Sequence, residues 1–330
     1  MSFDDLFNDE ALDSKMSFLE ENKSNGKDGL YRFDMSKVTD KKRGYVATLR
    51  FLPNFTKDGK LGESAIEKTT HYVDLKDMSE LRGYYDSPKN TNYDTGEPFS
   101  DTCPLSDCYW KLYNSNNAIM KERAGVLNYS TKWYSYVLVI EDKQQPELEG
   151  KIMVFQYGKQ IREKILQEDR GEITGEKCKI FSLKKGKDFR FIVKETKNEK
   201  NQVMPSYITS QFVSETSTIK IPASGGELKN VPLGEDGNFK DEHKKKISDF
   251  LLSRDVEVES FAPKALSEDQ ERKIREIISH LTGKPNVTNA TEEDFSFDDV
   301  GGDTSNEKKE EVTTESSSSS SDDDFDFDDF

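Results

Sequence analysis

A mainly β fold with added helices (α+β), arranged as a small barrel between two acidic ends, is what this sequence predicts. Three observations point there. Short runs of β-branched and aromatic residues alternate between two faces, as half-buried strands do. The pieces joining them are irregular and rich in turn residues, which favours a small barrel over a parallel α/β sheet. The chain is also too polar to form one packed domain. Its 330 residues are 33% hydrophobic and 34% charged with a net charge of −16, which predicts a compact core with disordered flanks.

The elements follow in order. Leu12, Met16 and Leu19 share helical spacing in an acidic segment too short to be helical alone, so it is expected to form on contact with a partner. Tyr45, Ala47, Leu49 and Phe51 share one face of a strand, with Val46, Thr48, Arg50 and Leu52 on the other, and Pro53 stops it. Trp133 to Ile140, Lys151 to Tyr157 and Phe189 to Lys194 read as further strands. Lys57-Asp58-Gly59-Lys60 and Glu147-Leu148-Glu149-Gly150 read as turns. Lys244 to Leu252 reads as a helix. Ser267-Glu268-Asp269-Gln270 is a capping box for another, with Ile274, Ile277, Ile278 and Leu281 as its apolar stripe and Gly283 as its end.

Charge divides the chain into three parts. Residues 285–330 hold 16 acidic and 2 basic side chains, a net of −14, and residues 1–29 hold 8 and 3, a net of −5, leaving +3 for residues 30–284. The expected organisation is an acidic N-terminal arm (1–29), a core (30–284) and a disordered acidic tail (285–330). A tail of that charge can compete with a ligand for a basic site on the core. The tail runs from a serine tract, Ser316 to Ser321, into Asp322-Asp323-Asp324 and then Phe325, Asp326, Phe327, Asp328, Asp329 and Phe330. Phenylalanine before paired aspartates recurs at Phe3, Phe297 and Phe327. Such segments offer an apolar anchor and a charge to a basic groove, so the tail is expected to bind proteins. Chance in an Asp-rich chain and simple solubilisation are the plainer readings.

Signatures of catalysis are missing, and the chain is not read as an enzyme. Gly171 to Lys177 resembles a phosphate loop but has three residues between its glycines, so it reads as a turn. There is no His-Glu-x-x-His helix and no Gly-x-Ser-x-Gly elbow. His280 reads as a helix-surface residue. No run of about 18 apolar residues predicts a membrane span, the acidic Met1 to Asp5 is not a signal segment, and three cysteines suggest a reducing compartment. Aromatic residues beside cations carry the positive signal: Tyr129, Lys132, Trp133, Tyr134 and Tyr136, then Phe155, Tyr157 and Lys159, then Phe189 and Arg190. Sequence-tolerant binding of single strands needs flat π-faces for bases and cations for phosphates. Strand alternation sends about half of these side chains inward, so the clustering counts for more than any one residue. Cys103 and Cys108 are close enough in sequence to share a metal with His71, or are two free thiols.

Taken in order, Arg50-Phe51-Leu52-Pro53, His71 before a Cys-Pro loop, Val137 to Ile140, Pro146-Glu147, Glu149-Gly150-Lys151, Tyr157-Gly158-Lys159 with Ile161, and Tyr207 with Ser210 and Phe212 resemble the single-stranded DNA-binding protein family of T-even-type bacteriophages (gene 32 protein, helix-destabilising protein). The serine run and Asp/Phe tail resemble its acidic arm. The resemblance implies an OB-type barrel with a zinc-bearing insertion, here at about residues 71–125. It implies cooperative binding of single-stranded DNA, with little sequence specificity, in phage replication, recombination and repair, in the cytoplasm of an infected bacterium. The tail would recruit replication and recombination proteins and restrain access to the DNA groove. Trp133, Tyr134, Phe155, Tyr157 and Tyr207 become the expected stacking residues, Arg50, Lys132, Lys151 and Lys159 the phosphate contacts, and His71, Cys103 and Cys108 the zinc ligands. The alternative is an acidic adaptor or scaffold that binds partners through its Phe-Asp-Asp segments. Two departures stand out. The family's zinc site has one His and three Cys with a Cys-x-x-Cys pair, whereas this chain has Cys-x4-Cys and lacks a cysteine between Ser79 and Asp86. Zinc is then lost, or bound by a changed ligand set. The family's arm is basic where this one is acidic, and the nearest basic cluster is Lys41-Lys42-Arg43. Cooperativity is then weaker, or the arm docks on a neighbouring core differently.

Overall fold

The computed structural model describes residues 29–283, apart from 173–174, 198–200 and 202. The N-terminal helix expected at Leu12 to Leu19, the acidic tail and the Phe-Asp-Asp segments lie outside the described residues. The order of elements is β1 (Leu30–Tyr31), β2 (Tyr45–Leu52), β3 (Ile66–Val73), β4 (Gly83–Asp86), α1 (Pro104–Tyr113), α2 (Ala118–Ala124), β5 (Tyr129–Asp142), β6 (Ile152–Tyr157) and α3 (Lys159–Arg170). It continues with β7 (Gly186–Lys197), β8 (Val203–Ser206), β9 (Gln211–Ser217), β10 (Lys220–Pro222), β11 (Leu228–Asn230), α4 (Asp241–Leu252) and α5 (Glu268–Thr282). The fold is α+β and mostly sheet, as the alternating runs predict.

One sheet is organised around β5. Its first half pairs antiparallel with β3 and its second half with β2, while β6 runs along its other edge. β7 continues from β2, β8 and β9 pair with β7, and β1 adds to β6 in parallel. Side-chain alternation then separates two apolar clusters. Tyr45, Ala47, Leu49 and Phe51 of β2 face Val137 and Val139 of β5 and Phe189, Phe191 and Val193 of β7 in one cluster. Leu52, Tyr134, Tyr136 and Leu138 lie in the other, under Ile247 and Leu251 of α4 and Phe261. Phe51 sits in ring contact with Phe155, Tyr157, Phe181, Phe189 and Phe212, at centroid distances of 5.7–6.1 Å. A ring buried in that way contributes about 2–3 kcal/mol from burial.

The segment between β3 and β5 builds a third apolar cluster. Leu105, Cys108 and Leu112 of α1 meet Val73, Leu81, Tyr85, Ala124 and Leu127 there, together with Ile274, Ile277 and Leu281 of α5. The helix read from Ser267 onward is present with its capping box, and Gly283 closes it at φ +70°. Its stripe therefore docks on α1, α2 and the β3–β4 end of the sheet, and the Arg123 guanidinium donates to the Leu281 carbonyl at 2.9 Å. No helix among the described residues is long and apolar enough to cross a membrane.

Candidate functional site

A cleft of about 320 Å³ opens where β1, β6 and the end of β8 meet. Its wall is aromatic, formed by Tyr31, Phe155, Tyr157 and Phe191, with Phe33 and Tyr207 at the rim and Arg32 and Lys132 beside them. Phe33 and Tyr207 stand edge to face with centroids 6.1 Å apart, and Tyr207 stacks on Phe191 at 5.8 Å and 19°. Both rim rings are half-buried and Arg32 is exposed. The cleft also reaches Gly158, the residue before the first turn of α3. Backbone N–H groups at a helix start favour an anion.

The floor is held in place by buried hydrogen bonds. The Tyr31 hydroxyl donates to Asp142 Oδ2 at 2.6 Å, and the Tyr45 hydroxyl donates to the same oxygen. Gln145 Nε2 donates to the Tyr45 hydroxyl at 2.8 Å, and the Gln144 and Gln145 amides donate to Asp142 Oδ1. Burial, then the adjacent carboxylate, push both phenols above their ordinary range, so they remain protonated donors. Tyr157 is tied to Ser135 at 2.9 Å. The floor rings are themselves core residues, Tyr31, Phe155 and Tyr157 at 3% exposure and Phe191 at 0%, so they fix the shape of the cleft and hold its half-buried rim in place, and such preorganisation favours binding.

The expected contact residues fall into three groups. Lys132, Phe155, Tyr157 and Tyr207 all line the cleft, but only Tyr207 is half-buried there; Phe155 and Tyr157 are 3% exposed and belong to the core, and Lys132 is 9% exposed. Lys159 is exposed and next to its Gly158 wall, whereas Lys151 precedes the far end of β6, about 20 Å from Tyr157 by strand rise. Arg50, Trp133 and Tyr134 are corrected. Arg50 is 1% exposed; it pairs with Asp188 at 3.3 Å and donates to the Ser182 and Ser217 carbonyls. Gly186 makes room for it, since a Cβ there would lie 2.5 Å from the guanidinium and 2.6 Å from the Ser182 carbonyl. Burial lowers the Arg50 pKa while Asp188 opposes the shift. Tyr134 is fully buried and stacks on Phe261 at 5.2 Å. Trp133 is 5% exposed, donates its indole N–H to Glu67 at 2.7 Å and lies under Arg162. Sequence reasoning missed Phe191 and the run Tyr31-Arg32-Phe33, whose aromatic–cation–aromatic pattern is a signal that could have found it.

The expected metal ligands separate as well. His71 and Cys103 are neighbours, with Sγ 3.4 Å from Nε2. Cys108 is instead buried in the apolar cluster beside Leu105 and Leu112, and no metal-sized group of ligating side chains among the described residues includes it. Among the described residues no group of three or more His, Cys, Asp or Glu side chains is placed to hold a metal ion. The residues present do not fit zinc.

Comparison with known proteins bears on the cleft. A family model described as gp32 DNA binding protein like matches residues 44–223, which include β5, β6 and Tyr207. A single-stranded DNA-binding protein of Enterobacteria phage T2 is 34% identical over 67 residues. That match covers 20% of this chain and 21% of the T2 protein.

Proposed function

The chain belongs to the gp32 DNA-binding-protein-like family, and on that footing we propose that it coats single-stranded DNA with little sequence preference. The observation that carries the proposal is the cleft, where the half-buried rings of Phe33 and Tyr207 lie with the exposed Arg32, and Lys132 lines the wall. Rings accept any base and cations meet any phosphate, so such a groove binds without reading sequence. Tyr31, Phe155 and Tyr157 are its floor, and Lys159 extends its cationic edge past the start of α3. The five strands β2, β3, β5, β6 and β7 are read as an OB-type barrel. The setting is phage DNA replication, recombination and repair in an infected bacterium, with self-association along the strand. Residues 285–330 are the competing and recruiting arm, and Phe325 to Phe330 the contact for other replication proteins. No chemical step is assigned to the chain.

The test is a fluorescence titration with oligo(dT) at several salt concentrations, using the full chain and a chain ending at Lys284. Quenching that weakens with salt supports the groove, because each phosphate contact releases counterions. No binding by either chain overturns it, and makes the Phe-Asp-Asp segments the working site of an adaptor.

A further inference from the structure

Four polar side chains converge inside the insertion. His71 comes from β3, Ser87 follows β4, Cys103 precedes α1 and Ser106 lies in the first turn of α1. His71 and Cys103 are fully buried and Ser87 nearly so. The Nε2 atom of His71 is 3.4 Å from Cys103 Sγ and 3.1 Å from Ser106 Oγ. The Ser87 hydroxyl, which accepts from the Lys89 amide at 3.3 Å, and the Ser106 hydroxyl both adjoin the Cys103 side chain. On the other side of the ring, Nδ1 lies 2.9 Å from the Leu127 carbonyl. A carbonyl only accepts, so Nδ1 carries the proton and Nε2 accepts from the hydroxyl or the thiol. Every one of these groups is satisfied by its neighbours.

The spacing is that of a zinc site, but the chemistry is not. Tetrahedral zinc would hold a sulfur and an imidazole nitrogen about 3.6 Å apart, given bonds of about 2.3 and 2.1 Å. The remaining two positions present hydroxyls, and protein zinc is bound by thiolate, imidazole or carboxylate. Neither Cys108 nor Cys178 completes the set, since no three ligating side chains meet among the described residues. We propose that His71, Ser87, Cys103 and Ser106 form a metal-free hydrogen-bonded staple that fixes α1 to the β3–β4 hairpin. Two changes of hydroxyl to thiol, Ser87→Cys and Ser106→Cys, are all that separate it from a zinc site.

The experiment measures metal content of the full chain by plasma mass spectrometry and its melting with and without EDTA, then repeats both on the double variant with zinc or cobalt added. The wild-type chain is expected to carry less than about 0.1 zinc per chain and to melt identically with chelator. The double variant is expected to take up one metal per chain, to show thiolate-to-cobalt absorption and to become sensitive to EDTA. Should the double variant not fold, Ser106→Cys alone gives the same reading through a weaker three-ligand site. Stoichiometric zinc in the wild-type chain with an EDTA-lowered melt overturns the proposal. So does a folded variant that takes up no metal.

Discussion

Phe33 and Tyr207 differ from the other rings of the chain in what is left of their surfaces. Both are half-buried at the cleft, Tyr207 with one face on Phe191, while Tyr134 is fully buried against Phe261. Phe33→Ala and Tyr207→Ala should each weaken oligo(dT) binding by ~1–3 kcal/mol with little change in salt dependence, because stacking releases no counterions. Arg32→Ala should do the reverse and reduce the slope of log affinity against log salt by about 1. Titrations at four salt concentrations separate the two effects. Arg50→Met belongs to stability. It leaves Asp188 with Lys220 as its remaining cation and removes the donors to the buried Ser182 carbonyl and the half-buried Ser217 carbonyl. A loss of about 3 kcal/mol in urea unfolding is expected, with oligo(dT) affinity kept where the variant is folded. A normal melt with lost affinity would return Arg50 to the interface.

At the scale of elements, the segment after α4 is what closes the second face of the sheet. Glu257 accepts from the Tyr136 hydroxyl at 3.1 Å, pairs with Arg254 and pairs with Lys57 at 2.8 Å. Phe261 follows and stacks on Tyr134. Burial pushes the Glu257 carboxyl up, but Lys57, Arg254 and Tyr136 together hold it below its ordinary value of 4.5. A carboxylate lowered on folding stabilises above its unfolded pKa, and that stability is lost as pH falls through the folded value. Wild type should therefore melt higher than Glu257→Gln at pH 7, and the gap should narrow below pH of about 4.5. Strands β2, β5, β6 and β7 were legible from sequence because alternation is local: Tyr45 to Leu52 states its two faces without reference to the rest of the chain, whereas β3, Ile66–Val73, is mostly polar and gave no such signal. The capping box at Ser267 was legible for the same reason. Helix α3 was not, since Ile161, Ile165 and Leu166 are spread among charged residues and its anchor, the buried Lys187–Glu168 pair, joins residues 19 apart. The cleft was half legible. Clustered aromatics and cations marked Lys132, Phe155 and Tyr157, and the family resemblance marked Tyr207, but the interior commitment of Arg50 depends on Asp188, Ser182 and Ser217, which only the fold brings to it.

For the whole molecule the governing fact is the division of charge. The core of +3 carries the cleft and the tail of −14 is joined to it covalently. Under the competition proposed above, a tethered tail would act at millimolar effective concentration, so even weak attraction to the cleft cations would suppress binding. That attraction would be electrostatic and would fade as the Debye length shrinks from about 10 Å at 0.1 M to about 3 Å at 1 M salt. Ending the chain at Lys284 should thus tighten oligo(dT) binding about tenfold, ~1.4 kcal/mol, at 0.05 M salt. The two affinities should converge toward 0.5 M. The truncated chain should also show the steeper salt dependence, since the intact chain loses a competitor as it loses phosphate contacts. A peptide of residues 285–330 added to the truncated chain should restore the weaker binding at low salt only. Parallel curves for the two chains at every salt concentration would mean that the tail never reaches the cleft, leaving recruitment of other proteins as its role.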